Sequence, residues 1–462
     1  MMDFDSQTKN KIKIGKTDIN TMKKQFKLKP AQIREIWALA EEEISYMLSS
    51  RALDDQNKST KRKRKFIRKY DKAAKAGTKQ SHKCSLLIPE GDSACKPVRD
   101  MIKNKKTPID KDYYGTYNIQ GVPPNALKMI KIMKTPQGDR PVMSKKLQNN
   151  IAFQGLVQAL NLNYEYHYDM TTEGNMQFDT LNYGSIIMAT DQDLDGIGQI
   201  CSLVLVFIMI FWPNLIKRGF FKRLATPIIR VYYRNRVKNC YSKSEYDTWA
   251  TERFGNKDDL PQGYDKRYYK GLSEHNEEEL LDMGMHFNEC IFTMTWDEAA
   301  EASMQIFYGE DSNERKKVLK TPVNDDYRED VWNTQFINVS EHLKIETKEY
   351  QLYNMRRKLI SYVDGMLPTQ RKALCAARIM FNGSNTKAKI YQVSGYVAKK
   401  MHYDHGDASL NGAIIKMAQS YIGANNLPHF VPISVGFGDR VNGRSANGSP
   451  RYINTKYNKQ LM

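Results

Sequence analysis

Four acidic residues in two short segments could together bind metal ions. Glu90 lies in the sequence EGDSA, and Asp191, Asp193 and Asp195 lie in the sequence DQDLDG. In extended backbone, residues i, i+2 and i+4 project to one side, so the three aspartates can converge. Carboxylates that share one crevice repel each other unless a hard divalent cation such as Mg²⁺ neutralises them. Two such ions about 4 Å apart stabilise both the attacking and the leaving oxygen in phosphoryl transfer, so we expect two Mg²⁺ per site.

Two other interpretations of the DQDLDG segment are a calcium loop and an acidic turn at the surface. Its spacing resembles the start of an EF-hand loop, whose twelfth residue is a glutamate. Counted from Asp191, the twelfth residue here is Ser202, and the flanking sequence is typical of a strand. These features favour a magnesium site over a calcium site.

Both acidic segments follow an apolar run that predicts a buried strand. The run CSLLIPE ends at Glu90, and the run YGSIIMATD ends at Asp191. Unbroken apolar runs are typical of parallel strands that are covered on both faces. Each run is followed by glycine and a helical pattern, which indicates an α/β domain. Open α/β sheets place their sites at the carboxyl ends of the strands, where these four carboxylates are expected to lie.

The two acidic motifs together resemble those of a Toprim domain. This fold is shared by type II and type IA topoisomerases, primases and some nucleases. The resemblance implies a parallel sheet flanked by helices, and by itself it does not determine the reaction.

A tyrosine near the end of the chain distinguishes among these families. Tyr452 lies in the sequence GSPRYI, which resembles the active-site segment of eukaryotic-type DNA topoisomerase II. The resemblance implies that Tyr452 attacks a DNA phosphate and forms a phosphotyrosine ester that conserves the bond energy for religation. Free phenol has a pKa near 10, so the nucleophile needs help. Arg451 is expected to stabilise the charge that develops on phosphorus.

Three further segments resemble DNA-contacting motifs of the same family. They contain Lys270 in YKGL, Arg371 in DGMLPTQRK, and Lys389 in KIYQ. The second segment resembles the motif that opens the family's winged-helix domain, which we expect to be mainly helical. The resemblance implies that these three residues bind DNA.

Two more segments complete the match. HYDHGD resembles the family's YHHGE or HPHGD motif; Asp404 replaces its first histidine, so only His405 is carried over as a phosphate-contacting or proton-handling residue. FDSQTK resembles the QTK loop that reaches the γ-phosphate of ATP, which implies a cofactor-binding role for Gln7 and Lys9.

The resemblance covers Phe4 to Ile453 with its motifs in the family's order. It implies that an ATP-binding GHKL fold precedes residue 1 and that a tower, coiled coil and C-terminal gate follow residue 462. The chain would then be a truncated reading frame, a recombinant piece or one subunit of a split enzyme with separate ATPase and C-gate polypeptides. In this family the tyrosine of one subunit works with the carboxylates of the other, so we expect a homodimer.

Charge and composition agree with a DNA-binding protein. The chain has 71 Lys and Arg and 52 Asp and Glu among 462 residues, a net charge of +19. This excess predicts a polyanionic partner, with double-stranded DNA favoured over an anionic membrane surface. The six cysteines form no CxxC pair, which argues against a structural zinc site and a disulfide framework. The polar N-terminus and the short apolar run Leu203 to Trp212, against the about 20 residues a span needs, predict a nuclear or cytoplasmic protein, viral or host, that is neither secreted nor inserted in a membrane.

We divide the chain into four parts. Residues 1–80 are the end of a transducer with a basic linker that contains KRKRK, and residues 81–225 are the Toprim domain. Residues 226–340 are a Toprim extension, and residues 341–462 are a winged-helix cleavage domain truncated after the tyrosine. Two alternatives stay open, a non-catalytic DNA-binding fragment and a Toprim nuclease or primase. A covalent protein–DNA adduct would separate them from a topoisomerase.

Overall fold

The computed structural model describes residues 30–61, 67–135, 138–241, 243–255, 260–322, 334–403, 405–425 and 427–461. Gln7, Lys9, Asp404 and most of the KRKRK run lie outside these residues. The chain forms two compact units, and the boundary between them falls between Thr347 and Lys348. They are called the first unit and the second unit below.

A seven-stranded mixed sheet forms the centre of the first unit. Its strand order is β1-β3-β2-β6-β7-β11-β12. The strands are β1 Tyr70–Asp71, β2 Ser85–Pro89, β3 Tyr114–Tyr117, β6 Ser185–Ala189, β7 Phe221–Leu224, β11 Ile291–Thr295 and β12 Phe336–Asn338. The two strands predicted from sequence, β2 and β6, are central and pair in parallel with each other. Every residue of β6 is buried, which explains why the strand reads as an unbroken apolar run.

Two smaller sheets accompany the large one. A hairpin joins β4 Ile130–Thr135 to β5 Gly138–Met143, and a three-stranded antiparallel sheet has the order β10-β8-β9. The strands of the latter are β8 Ile229–Tyr233, β9 Arg236–Cys240 and β10 Tyr264–Tyr268.

Helices alternate with the strands of the first unit, as expected for an α/β fold. They are α1 Pro30–Lys61, α2 Gly91–Lys103, α3 Lys145–Gln148, α4 Ile151–Leu160, α5 Thr172–Phe178, α6 Ser202–Phe211, α7 Pro213–Lys217, α8 Lys243–Phe254, α9 Glu277–Met285, α10 Ala300–Tyr308, α11 Ser312–Lys320 and α12 Val339–His342. Two π-helical segments, Leu194–Cys201 and Leu343–Thr347, lie directly before α6 and after α12. The hydroxyl of Ser202 contacts Nε2 of His342 at 2.9 Å and the hydroxyl of Thr347 at 2.8 Å. This buried polar group fixes the two π-helical segments to each other.

The apolar stretch predicted to be a buried helix is one. In the described part of the chain, Leu194–Phe211 is the single helical stretch long and apolar enough to cross a membrane by composition, and 72% of it is buried inside the protein. Such burial is typical of a core helix of a folded domain.

The second unit is mainly helical, as the sequence predicts for its winged-helix part. Its helices are α13 Lys348–Lys358, α14 Pro368–Phe381, α15 Ile390–Met401 and α16 Asp407–Ala418. Its strands are β13 Ala388–Lys389, β14 Phe430–Pro432, β15 Phe437–Asp439, β16 Gly443–Asn447 and β17 Asn454–Tyr457. The strand β17 lies between β13 and β14, and β15 pairs with β16. A separate apolar core, which includes Ile390, Leu410 and Phe430, supports this unit.

Candidate active-site residues

The pairing of β2 with β6 brings the two acidic segments together. Pro89 at the end of β2 is in register with Ala189 at the end of β6. Glu90 follows the first strand directly, and Asp191 follows the second by one residue more. The side chains therefore leave the sheet at the same edge, close enough for their charges to interact.

Asp195 does not lie in extended backbone as expected. Asp193 is extended and caps the following π-helical segment, because its carboxylate accepts a 2.7 Å hydrogen bond from the backbone N–H of Gly196. Asp195 then lies in the first turn of that segment. The expectation of three alternating aspartates in one extended run is wrong for Asp195, although its charge still acts on Glu90.

The carboxylates are partly buried and repel each other. Burial, followed by the charges of Asp191, Asp193 and Asp195, raises the pKa of Glu90 to about 7. Burial and the charge of Asp193 raise the pKa of Asp191 to about 6. Both shifts mean that the fold holds these groups where negative charge is unfavourable until a cation arrives.

Lys270 provides positive charge at this edge. Its ammonium lies 3.2 Å from a carboxylate oxygen of Asp193, and its charge opposes the rise in the pKa of Glu90. The sequence assigned Lys270 to DNA binding. The structure places it against the carboxylate cluster, where a phosphate brought to bound cations would also lie within its reach.

The residues after Lys270 shape the position of Asp191. The backbone N–H of Leu272 donates a hydrogen bond to the Asp191 carboxylate and lowers its pKa, although burial and Asp193 outweigh this. A Cβ at Gly271 would lie within 2.7 Å of all three carboxyl atoms of Asp191. Only glycine allows this approach, so the backbone of the YKGL segment packs directly on the carboxylate.

A polar cluster anchors the YKGL segment. Tyr269 donates a 2.6 Å hydrogen bond to Glu279 and stacks on His275 with ring centroids 4.2 Å apart. Glu279 also accepts a hydrogen bond from Tyr232. Burial would raise the pKa of Glu279, but the hydrogen bonds from Tyr232 and Tyr269 lower it to about 2. The ionised carboxylate therefore holds the tyrosine that precedes Lys270.

The four carboxylates fit a hard divalent cation. All donors are oxygens, the preferred ligands of Mg²⁺, and Oε2 of Glu90 is buried and has no hydrogen-bond partner among the described residues. Within the same part of the chain, no three His, Cys, Asp or Glu side chains are already gathered as a ligand set. Binding would therefore require small side-chain movements, beginning with the separation of Lys270 from Asp193.

Substituting alanine for Gly271 should weaken cation binding. The added methyl group must displace the Asp191 carboxylate, and changes in groups that orient ligands typically reduce metal affinity about 10- to 100-fold. We expect Mn²⁺ titration followed by electron paramagnetic resonance to show at least about a 10-fold loss. The matched control is Gly412→Ala, because a methyl group there meets open space. Equal Mn²⁺ affinity in both variants would show that Gly271 does not position Asp191.

In the second unit, Tyr452 lies in an exposed turn. The Tyr452 side chain is 74% exposed, and Arg451 is also exposed. The backbone N–H of Tyr452 donates to the carbonyl of Ser449 at 2.9 Å, which closes the turn. The turn is tied to the start of α15, because the N–H of Tyr391 donates to the carbonyl of Pro450 at 3.2 Å.

Lys389 lies beside the tyrosine segment. It precedes α15 and pairs in antiparallel register with Asn454, two residues after Tyr452. Among the DNA-binding candidates it is the one that the fold brings next to the proposed nucleophile. Arg371 instead forms a two-pronged ion pair with Asp364, at 2.8 and 3.0 Å. That hydrogen bonding holds the pKa of Asp364 well below its usual range.

His405 is held within the second unit by two tyrosines. Nε2 of His405 lies 2.8 Å from the hydroxyl oxygen of Tyr353. The ring of Tyr403 packs edge-on against the imidazole, with centroids 5.5 Å apart. Sequence reasoning missed Tyr353, and also Gly271 and Leu272. The YKGL motif contains the last two, whereas no local pattern marks Tyr353 among 27 tyrosines.

Comparison with known proteins places both units. Residues 224–356 match a family model described as the C-terminal associated domain of TOPRIM. Residues 357–461 match a family model of DNA gyrase/topoisomerase IV.

Full-length relatives show the same correspondence. The chain is 35% identical over 422 residues to DNA topoisomerase 2 of African swine fever virus, covering 89% of this chain and 34% of the relative. It is 32% identical over 425 residues to the mitochondrial DNA topoisomerase 2 of Dictyostelium discoideum, covering 91% of this chain and 30% of that protein. The chain thus spans about a third of the length of the curated relatives it matches.

A solved structure resembles the fold. It is described as the DNA-binding, cleavage and re-ligation domain of Plasmodium falciparum topoisomerase II. The TM-score is 0.65 at 26% identity, with 86% of this chain and 50% of that chain covered. The fold class and the resemblance expected from the sequence are confirmed.

Proposed function

We propose that this chain, a homologue of the type II DNA topoisomerases over most of its length, is the DNA cleavage and religation core of such an enzyme. One observation carries the proposal. Four carboxylates lie at the adjacent ends of two parallel strands, and the same chain carries Tyr452 after Arg451 in an exposed turn. A nuclease or primase needs the first feature but has no use for the second.

The proposed reaction is a reversible transesterification. The Tyr452 oxygen attacks a backbone phosphorus, the new phosphorus–oxygen bond links the protein to the 5′ end, and the 3′ oxygen leaves and takes up a proton. Arg451 stabilises the charge on the phosphoryl oxygens, and His405 donates a hydrogen bond to a phosphate oxygen. Mg²⁺ held by Glu90, Asp191, Asp193 and Asp195, two ions per site, would supply electrostatic stabilisation of the attacking and leaving oxygens.

The DNA contacts proposed for the basic residues have unequal support. Lys389 is supported by its place beside the tyrosine segment. Lys270 is supported by its place at the carboxylate cluster. Arg371 would have to exchange its ion pair with Asp364 for a phosphate. Since the net charge is +19, we expect binding of double-stranded DNA to weaken as salt rises.

The features of the whole enzyme are proposals by homology. They are a homodimer in which two chains share each site, ATP-driven strand passage with Gln7 and Lys9 at the γ-phosphate, and separate ATPase and C-gate polypeptides if the enzyme is split. The relatives are viral and eukaryotic proteins, one of them mitochondrial. A nuclear or cytoplasmic location of this chain stays a prediction.

A cleavage-trapping experiment tests the proposed function. The chain is incubated with a duplex labelled at either end and with Mg²⁺ or Mn²⁺, and the reaction is quenched with detergent. We expect protein-linked DNA in which only the 3′-labelled fragment remains attached to protein, because the ester is on the 5′ phosphate. Free ends without protein would indicate a nuclease, and bound but intact DNA would indicate a non-catalytic fragment or a subunit that needs its partners.

A further inference from the structure

The position of His405 depends on a residue from a distant part of the second unit. Tyr353 lies on α13, 52 residues before His405, and its hydroxyl oxygen is 2.8 Å from Nε2 of the imidazole. The two rings are inclined at 40° with centroids 6.1 Å apart, so their contact is through the hydroxyl and not through stacking. The geometry leaves open which atom donates, because a neutral imidazole nitrogen is either a donor or an acceptor.

A cation beside Tyr353 favours the hydroxyl as the donor. The guanidinium of Arg357, one helical turn later on α13, lies over the tyrosine ring at 4.4 Å from its centroid. A cation over an aromatic face is attracted to its electrons, and it also stabilises negative charge that develops on the phenol oxygen. The hydroxyl therefore becomes a better hydrogen-bond donor and a poorer acceptor.

We propose that Tyr353 is a positioning residue for His405: its hydroxyl donates to Nε2 and thereby fixes the ring orientation and the tautomer that carries its proton on Nδ1. In this tautomer the neutral ring donates through Nδ1 and can direct that N–H at a DNA phosphate oxygen. The inference rests on the proposed function for the use of His405, but the tautomer itself is a property of the chain without DNA. Tyr403, packed edge-on at 5.5 Å, limits rotation of the same ring.

The test compares Tyr353→Phe with Tyr457→Phe in the full chain. Tyr457 also lies in the second unit and is only 8% exposed, so its variant controls for the loss of a tyrosine hydroxyl. The chain contains 8 histidines, a number suited to selective ¹⁵N-histidine labelling, and His405→Gln identifies the His405 signals. Spectra recorded at about pH 8.5, where rings with an ordinary pKa are neutral, distinguish protonated from unprotonated nitrogens.

We expect Nε2 of His405 to be unprotonated in the wild type and in Tyr457→Phe. In Tyr353→Phe the population protonated on Nε2 should rise. In the trapping experiment, the Tyr353→Phe adduct should form about 10-fold more slowly, a smaller loss than the 10²- to 10⁴-fold typical of removing an acid–base group.

The two measurements separate the possible failures. A protonated Nε2 in the wild type, or nitrogen signals unchanged in Tyr353→Phe, would overturn the proposal whatever the cleavage result. Altered signals with unchanged adduct formation would overturn the claim that Tyr353 acts on the reaction through His405. If the wild type forms no adduct, the proposed function fails, while the nitrogen signals still decide the tautomer.

Discussion

Replacing Tyr452 with phenylalanine is expected to abolish the covalent protein–DNA adduct. The substitution removes the attacking oxygen, so no phosphoester can form, and the adduct should fall below detection. Because the side chain is 74% exposed, the loss of one hydroxyl group should leave the fold and DNA binding unchanged. Gel analysis of detergent-quenched reactions measures the adduct, and fluorescence anisotropy measures DNA binding.

The control for this variant is Tyr362→Phe. Tyr362 belongs to the same unit and is fully exposed, so it tests whether loss of any accessible tyrosine has the same effect. Adduct from Tyr452→Phe at the wild-type level would overturn the assignment of the nucleophile. Loss in both variants would mean that the effect is not specific to Tyr452.

Replacing Glu90 with glutamine is expected to have two opposite effects. It removes a proposed cation ligand, so adduct formation that depends on Mg²⁺ should fall at least about 100-fold. Without divalent cations at about pH 8, above the raised pKa of Glu90, the same variant should be more stable than the wild type. The reason is that Glu90 is then ionised, and burial and three neighbouring aspartates oppose that charge.

The pH dependence follows from the direction of the shift. The pKa of Glu90 in the folded protein is raised to about 7 from an ordinary value of 4.5. The contribution of Glu90 to stability is therefore complete below pH 4.5 and is lost as the pH rises through about 7. Because the side chain is only partly buried, we expect Glu90→Gln to gain about 1–3 kcal/mol at about pH 8 and nothing at about pH 4.

Thermal or urea unfolding at the two pH values measures this gain. Glu278→Gln is the control, since Glu278 is an exposed carboxylate of the same unit. A Glu90→Gln variant that is no more stable than wild type at the higher pH would contradict the electrostatic account of the cluster. Full Mg²⁺-dependent cleavage by this variant would contradict its role as a ligand.

Much of the first unit could be predicted because its central strands are strongly patterned. The strands β2 and β6 are continuous apolar runs, and each ends at an acidic motif. Burial on both faces of a parallel sheet produces this pattern directly, so the sheet, and the edge at which the carboxylates gather, followed from local sequence. The motif resemblance supplied Tyr452, whose exposed turn has no periodicity of its own.

The rest depends on contacts between residues far apart in the chain. Gly271 packs on Asp191 across 80 residues, and Tyr353 meets His405 across 52 residues. No spacing rule connects such pairs, because tertiary packing alone decides them. Asp195 was misplaced for a local reason, since Gly196 lets the backbone turn back toward Asp191 and begin a π-helical segment earlier than the extended pattern suggests.

The register of Pro89 with Ala189 also has a consequence for how the protein folds. These residues are 100 positions apart, so the cation ligands cannot meet until a long loop has closed and the middle of the sheet has formed. Contacts of such high sequence separation form late and slowly. A divalent cation that prefers the gathered carboxylates stabilises only chains past this step. Cation binding would thus signal that the centre of the sheet is complete before the chain handles DNA.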